Sequence, residues 1–168
     1  MTQQLPSVEN AITEMAAQLQ PLLPSNPLLV GIHSGGVWIA EKLHEKLNVE
    51  SDLGTIDITF YRDDFSTVGL HPQVNTSFLP EDIEGRNVLL VDDVLQTGRT
   101  IRAALNEIFS YGRPNTVTLA VLVDRGQREL PIQADVCGIK LELQAHQQVK
   151  LNGPDSLELR IMNRDNTR

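Results

Sequence analysis

Two carboxylates stand side by side at Asp92 and Asp93, a few residues ahead of Thr97-Gly98-Arg99-Thr100. Ionised carboxylates only accept hydrogen bonds. The pair therefore cannot hold a phosphate, but it suits vicinal hydroxyls or a divalent cation held jointly with a ligand. Thr97 to Thr100 offer the opposite chemistry. They fall where a helix begins, so unpaired backbone N–H groups and the positive end of the helix dipole converge on a small anion. Gly98 lets the backbone approach closely, and the two threonine hydroxyls add donors. Acceptors for a diol and donors for a phosphate, about one ribose apart, describe a cradle for a ribose 5-phosphate.

The elements that must position these groups are legible on either side. Val88-Leu89-Leu90-Val91 is a run of aliphatic residues, the pattern of a strand buried on both faces in a parallel sheet; it ends in the two aspartates. After a polar turn over Gln96 to Gly98, Ile101, Ala104, Leu105 and Ile108 recur at helical spacing, and the helix stops at Gly112 before Pro114. A second such junction lies upstream. Leu28 to Ile32 reads as a buried strand, and His33-Ser34-Gly35-Gly36 leads into a helix over about Val37 to Leu47. Thr116 to Asp124 is a third buried strand, which brings Asp124 and Arg125 to the same sheet rim if the strands are parallel. Two other origins for a strand ending in Asp-Asp carry less. A response-regulator receiver domain places that pair near its N-terminus and has no use for Thr-Gly-Arg-Thr, and a purely structural junction leaves two adjacent carboxylates at a buried strand end without purpose.

The stretch Val88–Thr100 resembles the PRPP-binding signature of the type I phosphoribosyltransferases (PRPP, 5-phosphoribosyl 1-pyrophosphate). Phe60-Tyr61-Arg62-Asp63-Asp64, Leu122-Val123-Asp124-Arg125-Gly126 and Arg128-Glu129-Leu130-Pro131-Ile132 narrow the resemblance to the PyrR family, regulators of pyrimidine-operon attenuation that are also uracil phosphoribosyltransferases. It runs from about Val30 to Ala134 and is vaguer outside. It implies a Rossmann-like central parallel sheet flanked by helices, with a small C-terminal hood over about residues 125–162, in a single domain spanning 1–168. It implies transfer of phosphoribosyl from PRPP to uracil, giving UMP and pyrophosphate, with Mg2+ held mainly through PRPP and no metal site made by the protein alone. Asp92, Asp93 and Arg62 would be catalytic, with Val94, Leu95, Gln96, Thr97, Gly98, Arg99 and Thr100 completing the PRPP site. Ser34 and Gly35 would contact pyrophosphate in a turn that often contains a non-proline cis peptide, although relatives often place Lys-Thr-Arg where this chain has His33-Ser34-Gly35. Asp124, Arg125 and Val149 would meet the base.

Other segments are read from pattern. Ser7 is a candidate N-cap for a first helix lined by Val8, Ile12, Met15, Ala16 and Leu19, which Pro21 and Pro24 end. Leu53 to Tyr61 alternates and reads as a strand near a sheet edge. Arg62 to Asp82 shows no periodicity, and in the resembled family a long loop here folds over the active site to exclude water. Past Pro131 the strand-like pieces are short, near Val136–Leu143, Val149–Leu151 and Leu157–Met162.

Composition bounds the rest. The 168 residues suit one domain with a sizeable core. No apolar run approaches the ~20 residues that span a bilayer, and Met1 to Pro6 lacks the pattern of a signal peptide, so the expectation is a cytoplasmic protein without membrane contact. One cysteine, Cys137, excludes a disulfide framework, and the histidines are too scattered for a zinc site. A net charge of −8 opposes indiscriminate polyanion binding, which weighs against a pyr leader RNA as partner but not against a small phosphate captured by local donors. Gln127 and Gln133, where the resembled family has His and commonly Arg, weigh the same way. Two alternatives stay open: an RNA-binding attenuator with little enzyme activity, and a purine phosphoribosyltransferase. Relatives form dimers or larger homo-oligomers.

Overall fold

A computed structural model describes residues 4–59, 77–80 and 82–164. The apolar runs form a five-stranded, all-parallel sheet in the order β2-β1-β3-β4-β5. Its strands are β1 (Leu28–Ile32), β2 (Gly54–Ile56), β3 (Asn87–Leu95), β4 (Thr116–Asp124) and β5 (Val136–Lys140). Three helices pack against it: α1 (Val8–Leu19), α2 (Gly35–Leu47) and α3 (Arg99–Tyr111). A two-stranded antiparallel hairpin, β6 (Gln147–Asn152) with β7 (Glu158–Asn163), closes the described chain.

Period-two alternation within wholly apolar strands explains why the strands read as continuous runs. Leu29, Leu89, Val91, Ala120 and Leu122 join one core with α1, α2 and Val149 and Leu151 of the hairpin. Leu28, Val30, Ile32, Val88, Leu90, Leu119 and Val121 join a second core with Ile101, Ala104 and Ile108 of α3. Strands β1, β3 and β4 thus feed two cores, as a sheet covered on both faces requires. Helix α1 starts where expected: the Ser7 hydroxyl accepts the Asn10 N–H at 3.3 Å. The chain then passes into a 3-10 turn over Gln20–Ser25 that carries Pro21 and Pro24.

Two boundaries differ from expectation. Strand β3 does not end at the aspartates; it runs on to Leu95, held by pairing of Asp92 with Val121, Val94 with Val123 and Leu95 with Asp124 of β4. Strand β2 is only three residues long. Asp57 turns the backbone out of the ladder, its Oδ1 accepting from both the N–H and the hydroxyl of Thr59. Ile56 and Ile58 are nevertheless buried as the alternation predicted. Among the described residues no helix is long and apolar enough to cross a membrane.

Candidate active site

The sheet order reverses between β1 and β3, and in open α/β sheets ligands lodge at that point outside the carboxyl ends of the strands. Here the crevice comes from unequal strand lengths. Pairing of β1 with β3 stops at Gly31–Val91, after which β1 turns into α2 while β3 continues beside β4 alone. The turn contains a cis peptide between His33 and Ser34, the feature expected at this position. The resulting cavity, about 300 Å3, is lined by Ser34, Gly35, every residue from Asp92 to Gly98, Thr100 and Val149. Most of the residues singled out from sequence therefore share one space.

The aspartates are set by their own neighbours. Asp92 Oδ1 accepts the Asp93 N–H and Asp93 Oδ1 accepts the Val94 N–H, both at 2.9 Å, which fixes both side chains at the strand end. Asp92 is buried but still reaches the cavity. Strand alternation carries Asp93 to the α2 face, where its carboxyl group lies against Gly35; a Cβ added to Gly35 would sit 2.6 Å from Asp93 Cγ. One added to Gly36 would sit 2.7 Å from the Val91 carbonyl oxygen. The two glycines let the N-terminus of α2 press onto the doublet. Ser34 is the N-cap but makes no capping bond through its hydroxyl, and the first helical bond runs from the Val37 N–H to the Ser34 carbonyl. The Gly35 and Gly36 N–H groups precede that bond, and Gly35 lines the cavity.

The α3 side of the cavity is built around Gly98, which adopts φ +92° at the N-cap of α3. Thr97 Oγ1 accepts the Arg99 N–H at 3.1 Å, and the first helical bond runs from the Arg102 N–H to the Gly98 carbonyl. The N–H groups of Thr100 and Ile101 come before it, on residues that line the cavity. The loop is braced from behind by residues 128–132. The Thr97 carbonyl accepts N–H groups from Glu129 and Leu130, each at 3.0 Å. The Arg128 guanidinium donates to the carbonyls of Gln96 (2.9 Å) and Ile132 (2.7 Å) and to Asp124 Oδ2 (2.7 Å).

Residues 2–154 match the model of the phosphoribosyl transferase domain. The chain belongs to the phosphoribosyltransferases. Within them it is similar to proteins named bifunctional protein PyrR. It is 53% identical to that of Pseudomonas fluorescens strain Pf-5 over 161 residues, covering 94% of this chain and 96% of the relative. The match to that of Nitrosococcus oceani is 58% over 145 residues, covering 85% and 82%. These values place it in the PyrR family. A solved hypoxanthine phosphoribosyltransferase from Staphylococcus aureus superposes with a TM-score of 0.65 at 24% identity, covering 86% of this chain and 80% of the other, which shows the shared type I fold.

Several expected site residues of this phosphoribosyltransferase do not face the cavity. The Arg99 side chain is half exposed and bonds Glu129 at 2.6 Å, and its N–H is taken up by Thr97 Oγ1. Asp124 pairs with Arg128 and accepts the Gly126 N–H; the hydrogen bond from Arg128 holds its carboxyl below the ordinary aspartate range. Arg125 is buried with its Nη2 donating to Gln127 Oε1 at 3.2 Å, and its Nε has no partner among the described residues. Burial, helped by nearby Arg164, lowers its pKa. Both residues were expected to meet the base. They leave β4 at the right rim, but Arg128 of the following loop draws the Asp124 carboxyl to itself, and the Arg125 side chain turns to Gln127. Arg62 and most of the 62–82 stretch lie outside the described residues. Lys150 of β6 lines the cavity and went unnoticed in the sequence, although the alternation of Val149 and Leu151 inward with Lys150 outward could have revealed it.

Proposed function

We propose that this chain transfers the phosphoribosyl group of PRPP to uracil, forming UMP and releasing pyrophosphate. One observation carries the proposal: the acidic doublet and the amide nest open into one cavity at the switch point of the sheet. In this reading Thr97 to Thr100 hold the 5-phosphate through N–H and hydroxyl donors. Asp92 and Asp93 accept the ribose hydroxyls, with their carboxylates supporting positive charge on the sugar as the C1–O bond to pyrophosphate breaks and the bond to the uracil nitrogen forms. The displaced nitrogen proton leaves to solvent. Ser34 and Gly35 receive the pyrophosphate, Arg62 assists it, and Val149 contacts the base. Asp124 is reassigned to the brace that Arg128 makes behind the nest.

The donor set fits Mg2+ brought in by its substrate. Among the described residues no group of three or more His, Cys, Asp or Glu could hold a metal alone, and Mg2+ favours one or two carboxylates plus substrate phosphates. Asp92 and Asp93 would supply the carboxylates. Bound with PRPP, the ion would offset the charge of the departing pyrophosphate.

A PRPP-dependent turnover screen over uracil, orotate, hypoxanthine and guanine tests the base, with uracil expected to exceed the others about 100-fold in kcat/KM. The double variant Asp92→Asn, Asp93→Asn should lose about 1000-fold in turnover while unfolding at the wild-type temperature. Near-full turnover in that variant would sink the site. The second activity implied by the resemblance, contact with a pyrimidine-gene leader RNA, belongs to the same proposal. A gel shift with that RNA, with and without UMP, decides it, and absence of a complex at low as well as high salt removes it.

A further inference from the structure

PRPP would bring a pyrophosphate group into a cavity that already holds two carboxylates. Of the described residues that line it, Lys150 is the one lysine or arginine. We infer that Lys150 binds the pyrophosphate group of PRPP through its ammonium, an assignment that rests on the phosphoribosyl-transfer reading above.

The packing of β6 gives the direction. Val149 and Leu151 are buried in the same core as Ile39, Ala40 and Leu43 of α2, whereas Ile101 and Ala104, behind the nest, belong to the other core. Gly153, just past β6, lies against Trp38 of α2, where an added Cβ would sit 2.8 Å from the ring. β6 therefore runs on the α2 side of the cavity, and Lys150 lines the cavity from that strand. Alternation turns it away from the core, and it is exposed.

Its surroundings also call for an anion. Across the hairpin Lys150 stands directly opposite Arg160, a like-charge pair that opposes strand pairing. Arg160 leans along its own strand toward Glu158, 3.7 Å away, while Lys150 makes no ion pair with the described residues. A lysine head on a flexible stem, with three donors and no carboxylate to hold it, can follow a pyrophosphate as it departs.

The variants Lys150→Gln and Lys150→Arg test this in three measurements beside the wild type: KM for PRPP at saturating uracil, calorimetric affinity for pyrophosphate with Mg2+, and calorimetric affinity for UMP. UMP has the 5-phosphate and the base but no pyrophosphate. Lys150→Gln should raise KM for PRPP and Kd for pyrophosphate about tenfold or more, and leave the UMP affinity within about twofold. Lys150→Arg should recover most of the loss. Unchanged pyrophosphate affinity in Lys150→Gln overturns the assignment, as do equal losses for UMP and pyrophosphate or a wild type that binds no pyrophosphate. Should the wild type turn over no base while Lys150→Gln still weakens pyrophosphate, the transfer reading fails and the Lys150 contact stands. Normal uracil turnover with unaltered pyrophosphate affinity sinks the Lys150 contact alone.

Discussion

Arg128 shapes the α3 side of the cavity without lining it. Its guanidinium joins Gln96, Asp124 and Ile132, so one side chain holds the end of β3, the end of β4 and the loop after β4 in register. Replacing it by glutamine leaves those acceptors short of charged donors and should cost about 2 kcal/mol of stability in denaturant unfolding. The same variant should weaken UMP, because the Gln96 carbonyl no longer fixes the turn before the nest. A pH dependence follows from Asp124. Its folded pKa is depressed, first by the Arg128 hydrogen bond and against the opposing effect of burial. A depressed carboxyl contributes stability above its unfolded pKa and loses it as pH falls through the folded value. Unfolding free energy of the wild type should therefore drop between about pH 5 and about pH 3, and Arg128→Gln should show a smaller drop. Equal drops in the two proteins would show that the pair contributes nothing to acid sensitivity. Gly98 makes the complementary case. With φ +92° and Ile132 Cβ 3.1 Å from an added Cβ, Gly98→Ala should destabilise by about 1 kcal/mol and weaken UMP about tenfold, read by thermal unfolding and calorimetry.

Among the elements, the site depends on β3 being longer than β1. Were the two equal, the ladder would continue past Gly31–Val91 and no crevice would open over Asp92 and Asp93. That difference was not legible in sequence, because two aspartates interrupt the apolar run and look like its end. Only the partner strand β4, apolar through Val123, shows that the ladder continues. The β2 boundary was misread for a related reason: alternation through Ile56 and Ile58 persists in burial, but a local Asp57–Thr59 turn ends the pairing. The strand-turn-helix junctions themselves were legible, since each rests on residues adjacent in the chain. Their tightness gives a prediction for α2. A Cβ at Gly36 would meet the Val91 carbonyl oxygen at 2.7 Å and the Asp92 Cα at 3.0 Å, both backbone atoms that cannot swing aside. Gly36→Ala should push α2 off β3, lower stability by about 1–3 kcal/mol, and reduce kcat/KM more than the stability loss accounts for. Wild-type kinetics in that variant would mean that the α2 terminus is not part of the site.

Across the whole molecule, a net charge of −8 coexists with a cavity proposed to take a phosphorylated sugar. The turn at Thr97 to Thr100 that starts α3 was legible because neighbouring residues make it. The brace behind it was not, because Arg128 reaches Gln96 across the fold and nothing local announces the contact. The same long-range contacts turn cations of that loop inward: Arg125 is buried and Arg128 is bonded to the protein itself. In the proposed reaction, capture of the 5-phosphate therefore falls to oriented N–H groups at Gly98, Thr100 and Ile101 and not to a surrounding positive field, which the acidic surface opposes. Local neutral donors are only weakly screened, whereas field-driven binding falls steeply as the Debye length shrinks. UMP affinity measured by calorimetry should therefore stay within about threefold between about 50 mM and about 500 mM salt, and an unrelated RNA should give no gel shift at about 150 mM. Binding of PRPP should be more salt-sensitive than that of UMP, since Lys150 adds an exposed charge contact for the pyrophosphate alone. A UMP affinity that fell tenfold or more over the same range would mean that mobile surface cations hold the phosphate, and the nest at α3 would lose its role.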